Sequence, residues 1–325
     1  MLRLYTCPNG QLMPADASAN PEGASIWFDL LNPTAAETLL VEQRVGIDIP
    51  SKGEMEEIEL SARLYHEDGA EFMTATAVMN LDTDEPVKTP VTFILKGTTL
   101  VTVRYAEPKP FSLFAARAQR PDAGCFAGED VMLGLVEAMI DRIADALEWV
   151  SNEVDGISRT VFRSKAGTAA KQTRSLQSII EQIGRKGDFL SMIGEGLVSL
   201  TRLLTYHTAV EARGRKGSRD PRQKIKSLQR DALSLSDHNA RLSDKINFLL
   251  DATLGLISLE QSQIIKIFSV AAVVFLPPTL VASIYGMNFA VMPELGWLFG
   301  YPFALGLMVA SAVVSFWVFK SRGWL

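Results

Sequence analysis

Between Lys266 and Lys320 the chain carries a single charged side chain, Glu294, and no other feature constrains the fold as strongly. Two apolar blocks flank that carboxylate, residues 267–285 and roughly 297–319. Each is close to the ~20 residues that a helix needs to cross the hydrocarbon of a bilayer. Two buried core helices are the alternative, but tandem blocks this free of charge point to a membrane hairpin. Lys266 precedes the first block, Lys320 and Arg322 follow the second, and the loop between them has neither Lys nor Arg. The bias of basic residues toward the cytoplasmic side puts both termini in the cytoplasm and the short loop outside.

The rest of the chain is too polar for a many-span carrier. With 325 residues and 47% hydrophobic side chains, a large soluble part joined to a small membrane part is expected. A net charge of −5 and a pI near 5.4 exclude nucleic acid as a general partner. The two cysteines, Cys7 and Cys125, lie far apart in sequence, which fits a reducing compartment without a disulfide framework. The N-terminal residues contain no sustained apolar run and read as mature protein without a secretory signal.

Three domains follow from the pattern. Residues 1–125 form an α/β unit: ASIWFDL, AEFMTATAVMNL and TPVTFILKGTTLVTVRY are rich in β-branched and aromatic residues, and TAAETLLVEQRV reads as a helix capped by Thr34. Residues 126–265 are helical. Met132, Val136, Met139, Ile143, Leu147, Val150, Val154, Ile157 and Val161 recur at steps of three and four, and a second helix runs from about 168 to 212. RGRKGSRDPRQK then reads as a solvated turn between antiparallel helices, because no aromatics interleave its basic residues. Residues 266–325 are the membrane hairpin with its external loop.

The third long helix carries two stripes. Ile225, Leu228, Ala232, Leu235, Asn239, Leu242, Ile246, Leu249, Thr253 and Leu256 keep a heptad seam, and no breaker separates this helix from the first span. A second stripe, also in alternating steps of four and three, is Asp251, Gly255, Ser258, Ser262, Ile265, Ser269, Ala272, Leu276, Thr279 and Ser283. Lipid does not favour Ser and Thr facing outward, so this face should meet other helices or water. Packing through small residues is one reading. The other is a pore lined by one copy of the stripe from each subunit of a rotationally symmetric oligomer. In a pore Asp251 makes a carboxylate ring that attracts cations, and Ile265 and Leu276 make apolar constrictions that gate by dewetting. Pro277 and Pro278 leave the carbonyls of Val273 and Val274 without their helical donors.

The helix ends in Tyr285-Gly286-Met287-Asn288-Phe289, followed by Met292-Pro293-Glu294-Leu295. This YGMNF with MPEL, at the outer end of the first of two C-terminal spans, resembles the CorA family of divalent-cation channels. SLEQSQIIKIFSVAAVVFLPPTLVASIYGMNF also looks like the bacterial members, so the strong resemblance covers about residues 228–325. It implies an α+β protein: an N-terminal α/β cytoplasmic domain and a long helical stalk continuing into the first of two transmembrane helices, assembled as a homopentameric funnel. It further implies Mg²⁺ influx, with Co²⁺ and Ni²⁺ as further ions, across the bacterial inner membrane. The resemblance also implies that the membrane potential drives this influx and that intracellular Mg²⁺ gates it.

By the same resemblance Gly286, Met287 and Asn288 line the outer mouth as a selectivity filter, and Glu294 is the loop carboxylate. The chemistry suits the ion. Mg²⁺ holds its water tightly, and a ring of neutral amides accepts hydrogen bonds from that water without trapping the ion. Ala290 and Val291 stand where the family usually has an acidic residue, so Glu294 alone attracts ions to the mouth. The tail KSRGWL is less basic than in many relatives. Family members sense Mg²⁺ through carboxylates between neighbouring cytoplasmic domains. Asp82 and Asp84 are the candidates here, with Glu54, Glu56, Glu57 and Glu59 as others or as a solvated face. Mg²⁺ is thus transported and regulatory ion, no other cofactor is implied, and the partners are membrane lipid, divalent cations and further copies of the chain.

No phosphate-binding loop of an ATP-driven pump occurs, and no motif places a catalytic constellation. The alternatives are a zinc transporter of the same superfamily, which His66, His207 and His238 do little to support, and a membrane-anchored signalling or scaffold protein.

Overall fold

The structure is a computed structural model and describes residues 1–15, 25–83, 85–120, 124–163, 169–214, 219–288 and 296–322. In chain order the elements are β1 (Leu2–Thr6), β2 (Met13–Ala15), β3 (Ser25–Leu31), α1 (Ala35–Val45), α2 (Lys52–Glu56), α3 (Leu60–Arg63), β4 (Leu64–Glu67), β5 (Ala70–Met79), β6 (Val87–Lys96), β7 (Thr99–Arg104), α4 (Lys109–Ala118), α5 (Gly128–Arg163), α6 (Ala169–Gly214), α7 (Arg219–Tyr285) and α8 (Gly300–Ser321). Two compact units result. One holds residues 1–163 and 179–249, the other residues 164–178 and 250–325.

The first unit is built on a seven-stranded sheet in the order β2-β1-β3-β7-β6-β5-β4. Its strands pair antiparallel except β3 with β7, which run parallel. Both faces are covered, so the central strands lack the polar alternation of a half-wet sheet. Phe28, Leu30, Ile94, Val101 and Val103 face a core closed by Val41 of α1 with Ile47, Ile49 and Met55. On the other face Trp27 packs edge-on against Phe114 of α4 at 6.1 Å, and Phe93 stacks near Phe111 at 6.3 Å. The helix α5 lies close on this face. A Cβ on Gly128 would come within 2.4 Å of the Leu100 nitrogen, so only glycine fits there.

Thr34 caps α1 as its sequence predicts: its Oγ1 accepts from the Glu37 N–H, and the Glu37 carboxylate accepts from the Thr34 N–H. The run TPVTFILKGTTLVTVRY is a hairpin, β6 and β7, turning at Gly97 with φ +61°.

Two buried ionic clusters pin the sheet. Asp29 on β3 accepts from Arg104 Nε at 2.8 Å and Nη2 at 2.7 Å, and from Thr102 Oγ1 at 2.9 Å; Trp27 Nε1 in turn donates to that Thr102 oxygen. His207 on α6 sits between Glu71 of β5 (Nδ1, 2.7 Å) and Glu129 in the first turn of α5 (Nε2, 3.1 Å). Burial alone would depress the His207 pKa. The hydrogen bonds and charges of Glu129 and Glu71 outweigh it and raise the imidazole to about 9.

That cation joins the sheet to α5 and α6. Its folded pKa lies above the ordinary value of 6.5, so its stabilisation is complete below about pH 6.5 and is lost as pH rises through about 9. A shift of this size corresponds to about 3 kcal/mol. The thermal midpoint of the wild type is therefore expected to approach that of His207→Gln between pH 7 and pH 10. A gap that stays constant over that range would show that His207 is not held as a cation.

Against α7 the helix α6 approaches closely: a Cβ on Gly194 would meet the Asn239 side chain at 3.0 Å, and one on Gly187 would meet Ile246 at 3.7 Å. On α5, Trp149 packs edge-on against Phe189 of α6, with Lys186 Nζ 4.0 Å from the Trp149 ring centre.

In the second unit α7 and α8 present their large side chains outward. Phe268 is 72% exposed, Phe275 70% and Trp317 68%. Helices so apolar and so exposed need lipid or further protein around them.

Candidate ion pathway

The helix α7 runs unbroken for 67 residues, through Pro277 and Pro278. The heptad seam matches its burial. Ile225, Leu228, Ala232, Asn239, Leu242, Ile246, Leu249 and Thr253 are buried, and Leu235 and Leu256 half-buried. Every member of the second stripe, Asp251, Gly255, Ser258, Ser262, Ile265, Ser269, Ala272, Leu276, Thr279 and Ser283, is exposed. Among the described residues the stripe is therefore left without cover. At 1.5 Å per residue it extends about 48 Å, longer than the ~30 Å hydrocarbon core.

Its chemistry is graded along that length. A carboxylate, Asp251, stands at one end, hydroxyls follow, and two apolar positions, Ile265 and Leu276, interrupt them. Near the proline pair the Thr279 hydroxyl donates to the Phe275 carbonyl at 2.7 Å, which keeps its oxygen on the exposed face.

At the far end Gly286 still donates to the Ala282 carbonyl at 2.9 Å, and Met287 to Ile284 at 3.3 Å. Gly286 is not in the left-handed region. A Cβ there would lie 3.1 Å from the Ala282 oxygen, a tight contact with the carbonyl that Gly286 itself hydrogen-bonds. Met287 is 49% exposed, and Asn288 is exposed immediately after the helix. The structure thus brings the stripe and Gly286, Met287 and Asn288 together on one continuous segment. Glu294, Ala290 and Val291 lie outside the described residues.

Asp82 lies in the first unit. Its carboxylate is held by Lys109 Nζ and by Arg142 Nη2. Asp84 lies outside the described residues. Among the other acidic candidates Glu54 closes a capping box with Ser51, and Glu56 pairs with Lys52 at 3.8 Å.

Sequence reasoning passed over Glu260. Both of its carboxylate oxygens are buried, with no hydrogen-bond partner among the described residues. A step of four beyond Leu256 continues the buried seam onto this position, and that spacing was the available signal.

A mixed-sheet domain, a helix with an exposed polar face ending in an uncharged polar exit, and a second apolar helix together define a two-span membrane protein. The chain belongs to the CorA-like Mg²⁺ transporter family, whose model matches residues 22–321, a family of transporters rather than enzymes. It is 34% identical over 326 residues to the magnesium transport protein CorA of Pasteurella multocida, and 33% identical to that of Escherichia coli K12, each over the full length of both chains. Its fold is similar to that of the CorA magnesium transporter from Methanocaldococcus jannaschii, with TM-score 0.79 at 17% identity, covering 100% of this chain and 99% of that one. It is also similar to the full-length CmaX protein, with TM-score 0.67 at 13% identity, covering 99% and 97%.

Proposed function

We propose that this chain assembles as a homopentameric channel that admits Mg²⁺, and also Co²⁺ and Ni²⁺, across the bacterial inner membrane with both termini cytoplasmic. The observation that carries this function is the α7 stripe: ten positions at heptad spacing, all exposed, leading to Gly286, Met287 and Asn288. One copy cannot enclose a path, whereas five copies related by rotation can. The full-length relatives described as magnesium transport proteins support Mg²⁺ as the ion. Residues 1–125 and 126–265 are then cytoplasmic, and residues 266–325 form the hairpin in the membrane.

The ion meets a ring of Asn288 amides with its water shell intact, and Glu294 supplies the charge near the mouth. It then passes the hydroxyl positions and the apolar rings of Leu276 and Ile265, and leaves past the Asp251 carboxylates. No fuel is required. A divalent ion moving to an interior 100 mV negative gains about 4.6 kcal/mol. Regulation by intracellular Mg²⁺ works through Asp82 and Asp84. Since Lys109 and Arg142 already hold Asp82, an incoming divalent ion competes with two tethered cations, and the site responds only when the ion is plentiful.

Leu276→Asn tests the pathway. A polar ring at that level wets the constriction, and Mg²⁺ uptake into cells already replete with Mg²⁺ is expected to rise several-fold. Uptake equal to that of the wild type, with the variant inserted at the same level, would remove Leu276 from the path.

A further inference from the structure

The only two cysteines of the chain are 118 positions apart in sequence, yet the fold sets them side by side. Cys7 follows β1 and precedes the short turn Pro8–Gly10, while Cys125 lies in the segment leading into α5. The Cys7 thiol donates to the main-chain carbonyl oxygen of Cys125, and the Cys125 N–H donates to the Gly10 carbonyl at 3.2 Å. The Cys7 sulfur thus lies against the Cys125 main chain, and the two residues are neighbours across this junction. Further hydrogen bonds tie the junction around them: Asp130 Oδ2 accepts from the Phe126 and Ala127 N–H groups at 2.9 and 3.0 Å, and the Leu12 N–H donates to the Ala118 carbonyl at 2.9 Å.

We propose that Cys7 and Cys125 form a redox modification site, closing an intramolecular disulfide that fastens the β1 edge of the sheet to the start of α5. Cys7 is half-buried and Cys125 is 4% exposed, so Cys7 is the thiol that meets an oxidant and Cys125 the one that resolves. With a small organic disulfide as oxidant, the Cys7 thiol gives its proton to solvent. Its thiolate attacks one sulfur of the reagent, forms a mixed disulfide and expels one thiolate. Cys125 then loses its proton, attacks the Cys7 sulfur and expels the second thiolate. Two protein thiols are oxidised, one reagent disulfide is reduced, and the two released protons end on the two reagent thiols.

Burial raises both thiols, Cys125 to about 11, and the nearby Asp130 adds to the effect on each. Closure is therefore slow at neutral pH and quickens as pH rises, which suits a response to sustained oxidation rather than a fast sensor. It joins residues far apart in the chain, so the closed form resists unfolding more strongly than the reduced form.

The test uses the full chain in detergent, treated with oxidised glutathione at pH 8.5 and analysed as the intact mass after blocking remaining thiols. The expected product is a monomer lighter by two hydrogen atoms, with no alkylation, faster in a non-reducing gel and with a raised thermal midpoint. Cys7→Ser and Cys125→Ser should each lose that product, and the oxidised wild type should regain both alkylatable thiols on reduction. Alkylation of both cysteines after prolonged oxidation, retained glutathione adducts or dimers linked between chains would each overturn the proposal.

Discussion

Asn288→Ala abolishes Mg²⁺ uptake while the protein still inserts and assembles: that is the expected result of removing the amide at the end of α7. Asn288 is exposed immediately beyond the last helical turn, so truncating it removes no packing and leaves no buried group unpaired. In the proposed filter, what it removes is an acceptor for the water around the ion. In the proposed ring of five copies the loss is fivefold at a single level of the path, and no other side chain of the described segment offers a neutral carbonyl oxygen there. Mg²⁺ gives up its water reluctantly, so a mouth lined by alanine has nothing with which to hold the hydrated ion. Asn288→Asp separates binding from passage, because carboxylates hold the ion more strongly and release it more slowly; flux should fall while Mg²⁺ blocks other ions at lower concentration. Cross-linked oligomers of both variants at wild-type levels are the control. Unaltered flux through assembled Asn288→Ala would withdraw the filter assignment.

The second large effect lies in the sheet. Arg104→Leu leaves the Asp29 carboxylate, at 2% side-chain exposure, with the Thr102 hydroxyl in place of a two-pronged guanidinium. Removing one partner of a buried ion pair costs about 3–5 kcal/mol, because the remaining charge can neither return to water nor find a counterion. Arg104 also donates to the Ala106 carbonyl at 2.9 Å and lies 4.6 Å from the Phe111 ring, so packing is lost as well. Urea melts of the full chain in detergent are expected to shift by that amount. The double variant Asp29→Leu with Arg104→Leu should recover part of the loss, since no orphaned charge remains. A single variant within about 1 kcal/mol of the wild type would contradict the account of this cluster.

Neither cluster could be read from the sequence. Asp29 and Arg104 look like ordinary breaks in strand hydrophobicity, and His207 like a polar position on a long helix. Their partners stand 75 and 136 positions away in sequence, and only the parallel pairing of β3 with β7 and the docking of α6 on β5 bring them together. The same holds for Cys7 and Cys125, whose separation in sequence suggested two unrelated thiols.

Periodic features fared better because their signal is local. The α7 seam, from Ile225 to Leu256, is the buried face of the helix, and the stripe from Asp251 to Ser283 is its exposed one. Short elements gave too few residues for a period to emerge. Thus β1, β2 and β4, of five, three and four residues, leave no period in the sequence, nor does α4, whose apolar side chains Phe111 and Phe114 are recognisable only against Trp27. The YGMNF motif stands out in the sequence, but the local geometry of its glycine does not: the hydrogen bond from Gly286 to the Ala282 carbonyl appears only once α7 is seen to continue helically to Gly286.

The central claim is that this chain alone provides a path for Mg²⁺, and purified protein in liposomes tests it most directly. With a potassium diffusion potential making the interior negative and a Mg²⁺-sensitive dye inside, Mg²⁺ should enter at a rate that rises with the potential and vanishes in Asn288→Ala. Liposomes that hold correctly inserted wild-type oligomers yet admit no divalent ion at any potential would contradict it.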